Sequence, residues 1–142
     1  MTELVIETQI NASAETCFDL IRDPRLHTDT VVVHEGEFAL GQRVRFESRT
    51  FGVRQVLLVE VTDFDPPHRL TDTMISGTFR EFRHTHEFIE HNGGTLMRDV
   101  VAWCSPFGPL GRLADTLFLH RKFTKLITGR NLRLKALAES AV

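Results

Sequence analysis

Two histidines and one aspartate have the types and spacing to do chemistry: His84 and His86 alternate along one strand-like run, and Asp99 lies in the next. Between these runs stands Asn92-Gly93-Gly94, and Asn-Gly is the preferred pair for a type I′ hairpin turn. Pairing His91 with Gly94 sets Phe88 opposite Met97, His86 opposite Asp99, His84 opposite Val101 and Phe82 opposite Trp103. A carboxylate beside an imidazole fixes its tautomer and raises its basicity, which makes His86 and Asp99 a candidate acid–base pair. Such a pair could abstract an acidic proton from a β-dicarbonyl substrate. The plainer alternative is a buried polar pair that stabilises the sheet, since buried polar groups find partners in any protein. His84-x-His86 also offers two nitrogens to a metal, with Asp99 or His120 as a third ligand. Two histidines on a strand fall short of the three protein ligands that catalytic metal sites use, so no metal is expected.

The elements that must position these groups follow from periodicity. On the other face of the hairpin lie Glu81, Arg83, Thr85, Glu87 and Arg98, charges that would each cost several kcal/mol (order of magnitude) to bury unpaired. The histidine face is therefore the inward one. An alternating run from Leu4 to Ile10 predicts a first strand, and Ser13 caps a short helix carrying Ala14, Cys17, Phe18 and Ile21. Asp23-Pro24 supplies a second cap, so two short helices follow the first strand. From Val31 to Ile75, turn signals separate a meander of strands. A turn at Phe51-Gly52 pairs Phe46 with Leu57 and Val44 with Val59, with Arg43, Arg45, Glu47, Arg49 and Arg54 outward. The phase of Asp72 stays open between inward and outward. After Ser105-Pro106-Phe107-Gly108-Pro109, a helical pattern runs from about Gly111 to Ala138. Its inner face is expected to carry Leu113, Leu117, His120, Phe123, Ile127, Leu134 and Ala138.

Composition sets the outer limits. The chain of 142 residues suits a single domain, 1–142, with its own core, and 42% apolar against 25% charged residues argues for a soluble globular protein. Neither a leader pattern nor a run of roughly 20 apolar residues is present, so a cytoplasmic protein without integral membrane contact is expected. Cys17 and Cys104 make neither a zinc motif nor a disulfide framework. Residues 111–142 hold seven Lys/Arg against Asp115 and Glu139, while the remainder holds ten against seventeen acids. A basic terminal helix over an acidic body could meet nucleic acid or anionic lipid. A helix solvated on its outer face explains the charge more simply, and no aromatic residues interleave with the cations as single-strand binding prefers. Phosphate loops, dinucleotide fingerprints, His-Glu-x-x-His and nucleophile elbows are all missing from the sequence.

Several segments together resemble a known group: Ile10-Asn11-Ala12-Ser13-Ala14-Glu15 with Phe18-Asp19-Leu20, Phe64-Asp65-Pro66-Pro67, and Gly77-Thr78-Phe79 leading to His84-Thr85-His86-Glu87-Phe88. Gly93-Gly94-Thr95 with Met97, Asp99 and Val100, then Pro106-Phe107-Gly108 and Arg130, continue it. The chain is similar to the SRPBCC group of the START-like, birch-pollen-allergen superfamily, in its polyketide cyclase/dehydrase subgroup of small bacterial proteins. That resemblance implies an α+β helix-grip fold, in which a strongly curved antiparallel sheet of about seven strands grips a long C-terminal helix. It also implies a deep, largely apolar cavity for a lipid, hormone, polyketide or other hydrophobic molecule. Phe46, Leu57, Phe82, His84, His86, Phe88, Met97, Asp99, Val101 and Trp103 are its expected lining, with Leu117 and His120 reaching in from the helix. His27 could border the mouth.

Three functions follow in order. A carrier or sensor of a small hydrophobic ligand, needing no cofactor, comes first. A cyclase, dehydratase or isomerase on a ketide-like substrate comes second; with no Tyr in the chain, its chemistry would fall to His86 and Asp99. A partner-binding module using the basic helix comes third. Nucleic acid is not an expected partner, and a homodimer is left open.

Overall fold

Asn92 and Gly93 both take positive φ, 52° and 75°, the backbone that a type I′ turn demands. That turn joins strand β6 (Glu81–His91) to β7 (Gly94–Cys104), and the register opposes His91 to Gly94, Phe88 to Met97, His86 to Asp99, His84 to Val101 and Phe82 to Trp103. These are the partners implied by the turn chemistry. The computed structural model describes residues 2–23, 26, 31–33, 39–50, 53–77, 79–105 and 108–140.

β7 is flanked on its other side by β1 (Thr2–Ile10), antiparallel, with Thr8 opposite Met97 and Leu4 opposite Val101. The two backbones close tightly where β7 begins, because a Cβ on Gly94 would run into the carbonyl oxygen of Ile10. Only glycine fits there. Beyond β6 the sheet continues through β5 (Arg69–Ser76), β4 (Val53–Asp65), β3 (Arg43–Thr50) and β2 (Val31–Val33), all neighbours antiparallel, in the order β1-β7-β6-β5-β4-β3-β2. Six of the strands have eight residues or more; β2 is a three-residue edge. Phe46 faces Leu57 and Val44 faces Val59, as the alternation around Phe51-Gly52 requires.

Helix α1 (Ala14–Ile21) starts where the Ser13 side chain accepts a hydrogen bond from the Thr16 amide at 3.2 Å. It buries Cys17, Phe18 and Ile21, and Phe18 meets Phe64 and Phe88 with ring centroids 5.5 Å away in each case. The second short helix expected at Asp23-Pro24 lies outside the described residues, of which only Leu26 falls in that stretch, and so does His27. At the other end of the chain, α2 (Gly108–Ala114) and α3 (His120–Ser140) are joined by a π-helical turn, Asp115–Leu119. α3 lays Ile127, Arg130, Asn131, Leu134 and Ala138 against the sheet. The fold is the α+β helix-grip arrangement. Among the described residues, no helix is long and apolar enough to cross a membrane.

One expectation for this helix is overturned. Leu113, Leu117 and His120 do not face inward but are exposed. Counting back from Ile127 by fours gives Phe123 and then Leu119, and these pack against the interior. The stripe thus takes Leu119 rather than its neighbour His120, since a leucine gains from burial and an imidazole loses its water. The π-helical turn before His120 then breaks the 3.6-residue phase that carried Leu113 and Leu117 inward on paper.

Candidate functional site

β6, β7 and α3 share one pattern along the interior: an apolar end, a polar middle and a second apolar end. On β6 the sequence is Phe82, then His84 and His86, then Phe88. β7 repeats it with Trp103 and Val101, Asp99, then Met97, and α3 with Ile127, then Arg130 and Asn131, then Leu134 and Ala138. The polar residues therefore meet as a belt between two apolar clusters. One cluster contains Phe88, Met97, Phe18, Ile10 and Leu134; the other contains Phe82, Trp103, Val101, Leu4 and Ile127.

Asp99 is the centre of the belt and is fully buried. Its Oδ1 accepts from Arg130 Nη2 at 2.6 Å and pairs with His84 Nε2 at 2.8 Å; Oδ2 accepts from Asn131 Nδ2 at 2.7 Å. His86 Nδ1 lies 3.0 Å from the same Oδ1 but off the direction a hydrogen bond requires, and its Nε2 lies 3.6 Å from Asp72 Oδ2. Asn131 also accepts from Arg130 through Oδ1 and donates to Thr8 Oγ1 at 3.3 Å, which ties the belt to β1. Leu70, Thr71 and Asp72 are all buried, and it is the 3.6 Å approach of Asp72 Oδ2 to His86 Nε2 that puts Asp72 on the inward face of β5.

The charges sort themselves accordingly. Burial alone would raise Asp99, but Arg130 and the two histidines outweigh it and hold the carboxyl well below its ordinary range. Burial lowers His84, and the adjacent His86 lowers it further, to about 4 despite the carboxylate it bonds. Burial pulls on His86 in the same sense, yet the carboxyl groups of Asp72 and Asp99 prevail and raise it. Of the two rings His86 is the one that takes a proton first, and His84 is a neutral imidazole at neutral pH, bonded through Nε2 to a carboxylate.

His84, His86 and Asp99 each bring a ligand atom within 4.8 Å of the others, a spacing three ligands of one metal could have. However, the Arg130 guanidinium already sits 2.6 Å from the shared oxygen, and a cation there repels a second one. His120, exposed on α3, is no part of this group.

The expected lining residues divide between the two ends. Phe88 and Met97 belong to the first cluster, with Phe46 half-buried against it; Phe82, Val101 and Trp103 belong to the second, and Leu57 touches both. Leu117 and His120 leave the list, because their side chains point to solvent. Arg130, to which the sequence alone assigns no role, and Asn131, which it leaves unmarked, enter the list. Their one signal is an arginine and an asparagine interrupting an apolar helix face between Ile127 and Leu134.

The two ends differ in closure. Of the described residues, fourteen buried ones around Phe88 and Met97 carry five partly buried ones at their edge, whereas around Phe82 only five buried residues are ringed by six that are partly buried, namely Ile6, Leu57, Met74, Phe79, Leu119 and Phe123. Phe79, Phe82 and Phe123 form a mutual trio with centroids 5.5 to 5.9 Å apart, and Trp103 meets Phe123 edge-on at 4.9 Å. Among the described residues nothing accepts from the buried Trp103 Nε1. β5 and β6 pair only as far as Thr73 and Arg83; past that point a pocket of about 160 Å³ opens, lined by Thr73, Met74, Arg80, Glu81, Phe82 and Arg83.

Comparison with known proteins agrees with this architecture. The family profile described as "Polyketide cyclase / dehydrase and lipid transport" matches residues 1–139. A search of curated proteins finds no match. Among solved structures, TTHA0849 from Thermus thermophilus is similar with TM-score 0.78 at 18% identity, covering 96% of this chain and 99% of that one. A START superfamily protein from Mycobacterium smegmatis gives 0.72 at 13%, covering 99% of each. The ginseng major latex-like protein 151 from Panax ginseng gives 0.68 at 14%, covering 96% and 97%. At such identities the likeness is one of fold.

Proposed function

This chain belongs to the polyketide cyclase/dehydrase and lipid transport family, and from that premise we propose that it carries or senses a small hydrophobic molecule held between the sheet and α3. The ligand is lipid-, polyketide- or aromatic-like. Unequal closure of the interior supports this reading: the Phe88 end is mostly buried core, while most of the apolar wall at the aromatic end around Phe82 and Phe123 is only partly buried. Ligand sites are mainly apolar with a few polar anchors. An apolar body would pack on Phe79, Phe82 and Phe123, and a carbonyl oxygen would satisfy the Trp103 indole N–H. His84, whose side chain retains 11% exposure on the inward face, is the member of the belt that such a ligand would meet. In this reading residues 1–142 act as one cytoplasmic ligand-binding domain without metal, cofactor or nucleic acid.

One observation favours a second reading, an acid–base enzyme acting on a ketide-like substrate. A neutral imidazole held in one tautomer by a buried carboxylate is free to accept a proton, although its lowered value of about 4 makes it a weaker base than an ordinary histidine. Both nitrogens of His86 face carboxyl groups, so the base in that reading is His84 acting through Nδ1, with Asp99 as the group that orients it.

Native mass spectrometry of the protein purified from its own host tests both. A co-purifying hydrophobic compound is the expected result, and protein that consistently arrives empty and takes up no lipid from a host extract would overturn the binding reading. If the recovered compound is turned over, His84→Ala should abolish the rate while binding persists; a compound left unchanged supports the carrier.

A further inference from the structure

Leu110, Leu113 and Leu117 follow one another at steps of three and four residues across α2 and the π-helical turn, and they are 76%, 55% and 52% exposed. Single surface leucines are ordinary, but leucines on successive turns, with Phe118 half-exposed beside them, form a ridge. The same outer line continues into α3 with exposed Arg121 and Lys125, each four residues further on. Asp115 is the single acidic residue between Gly108 and Ala138. An apolar tip backed by cations is the pattern of a helix that lies in a membrane interface. Anionic headgroups attract such cations, and acyl chains accept such leucines.

We propose that this ridge docks the protein on an anionic lipid surface. The inner side of the same segment adds a reason for the location: Leu119 and Phe123 close over Phe79, Phe82 and Trp103, the open end of the interior. Docking therefore sets that end against the bilayer, with Leu117 on the outer side of the π-helical turn and Leu119 on its inner side. Single π-helical turns are frequent at functional sites. A second copy of the chain fits the ridge less well. A two-fold contact through the leucines would set this segment against itself, where Asp115 is the single acid available to meet Arg121 and Lys125. Nucleic acid would meet the cations but leave the leucines unexplained. The docking goes beyond the ligand reading and stands whether or not a cargo is found.

Flotation with extruded vesicles tests it, comparing phosphatidylcholine alone with phosphatidylcholine containing phosphatidylglycerol. Wild type should float with the anionic vesicles and be released by high salt. Leu113→Glu with Leu117→Glu should weaken flotation by about tenfold or more, from lost insertion. Arg121→Glu with Lys125→Glu should remove the preference for anionic vesicles; circular dichroism and thermal melting, unchanged at these exposed positions, show that the variants fold. Wild type that floats with neither vesicle, or equally with both, overturns the proposal. So does sedimentation as a dimer that the leucine variant splits, which would assign the ridge to a second copy.

Discussion

The imidazoles of His84 and His86 stack with centroids 4.0 Å apart and planes at 29°, on one strand and against one carboxylate. Burial, and then the neighbouring His86, lower His84, whereas the carboxyls of Asp72 and Asp99 raise His86 against the same burial.

Stability should therefore depend on pH in two opposite ways. His84 is lowered in the folded state to about 4 from 6.5, so acid protonates it first in the unfolded chain, and stability falls as pH drops through that window. His86 is raised, so its contribution is complete below about 6.5 and is lost as pH climbs through the folded value. Urea melts taken across pH should show a maximum near the ordinary histidine range. His84→Gln should flatten the acid side above about pH 4, by a few kcal/mol in order of magnitude, and His86→Gln the alkaline side. Identical profiles in all three proteins would acquit the histidines.

Arg130 and Asp99 supply the next prediction. Asp99→Asn keeps the shape but strands a guanidinium in the interior, and breaking a buried pair from one side costs about 3–5 kcal/mol. Adding Arg130→Met removes the stranded charge and should restore part of that loss. Denaturant midpoints decide; a loss below about 1 kcal/mol for Asp99→Asn would mean that the pair does not hold the belt together.

The hairpin was readable in advance because three independent signals agree on it: the Asn-Gly turn, the alternation, and the charges that must stay outside. Opposition of His86 to Asp99 follows from register alone. What register does not carry is the third dimension, and Asp99 turns out to serve His84 more directly than His86. The role of Arg130 required knowing which turn of α3 crosses β7, a packing fact whose one local trace is the polar break between Ile127 and Leu134. Leu113 and Leu117 do not face inward for a different reason: a helical wheel assumes a constant pitch, and the π-helical turn at Asp115–Leu119 breaks it, while past that turn Leu119 takes the inward place that His120 would have had.

Gly93 and Gly94 should respond unequally to alanine. At Gly93 the positive φ is the only obstacle, with no atom within 4 Å of an added Cβ, so the cost is about 1–2 kcal/mol. At Gly94 the added carbon meets the backbone of Ile10 and Asn11, which cannot swing aside as a side chain would. Gly94→Ala must push β1 from β7 and should be the more destabilising in thermal melts. Equal losses would show that the end of β1 yields freely.

Trp103 is the only tryptophan and the chain has no tyrosine, so its fluorescence reports the aromatic end without interference. Phe123 touches it edge-on, whereas Phe88 packs in the more buried cluster on the other side of the polar belt. If ligand occupies the open end, titration with 1-anilinonaphthalene-8-sulfonate should transfer energy from Trp103, and Phe123→Ala should weaken that binding by about tenfold through loss of apolar contact. Phe88→Leu should lower stability by about 1 kcal/mol and leave the binding constant alone. The reverse pattern, with Phe88→Leu altering affinity and Phe123→Ala silent, would move the site to the more buried end. Each substitution removes one aromatic ring from one end of the same interior, so the contrast reads which end the ligand occupies.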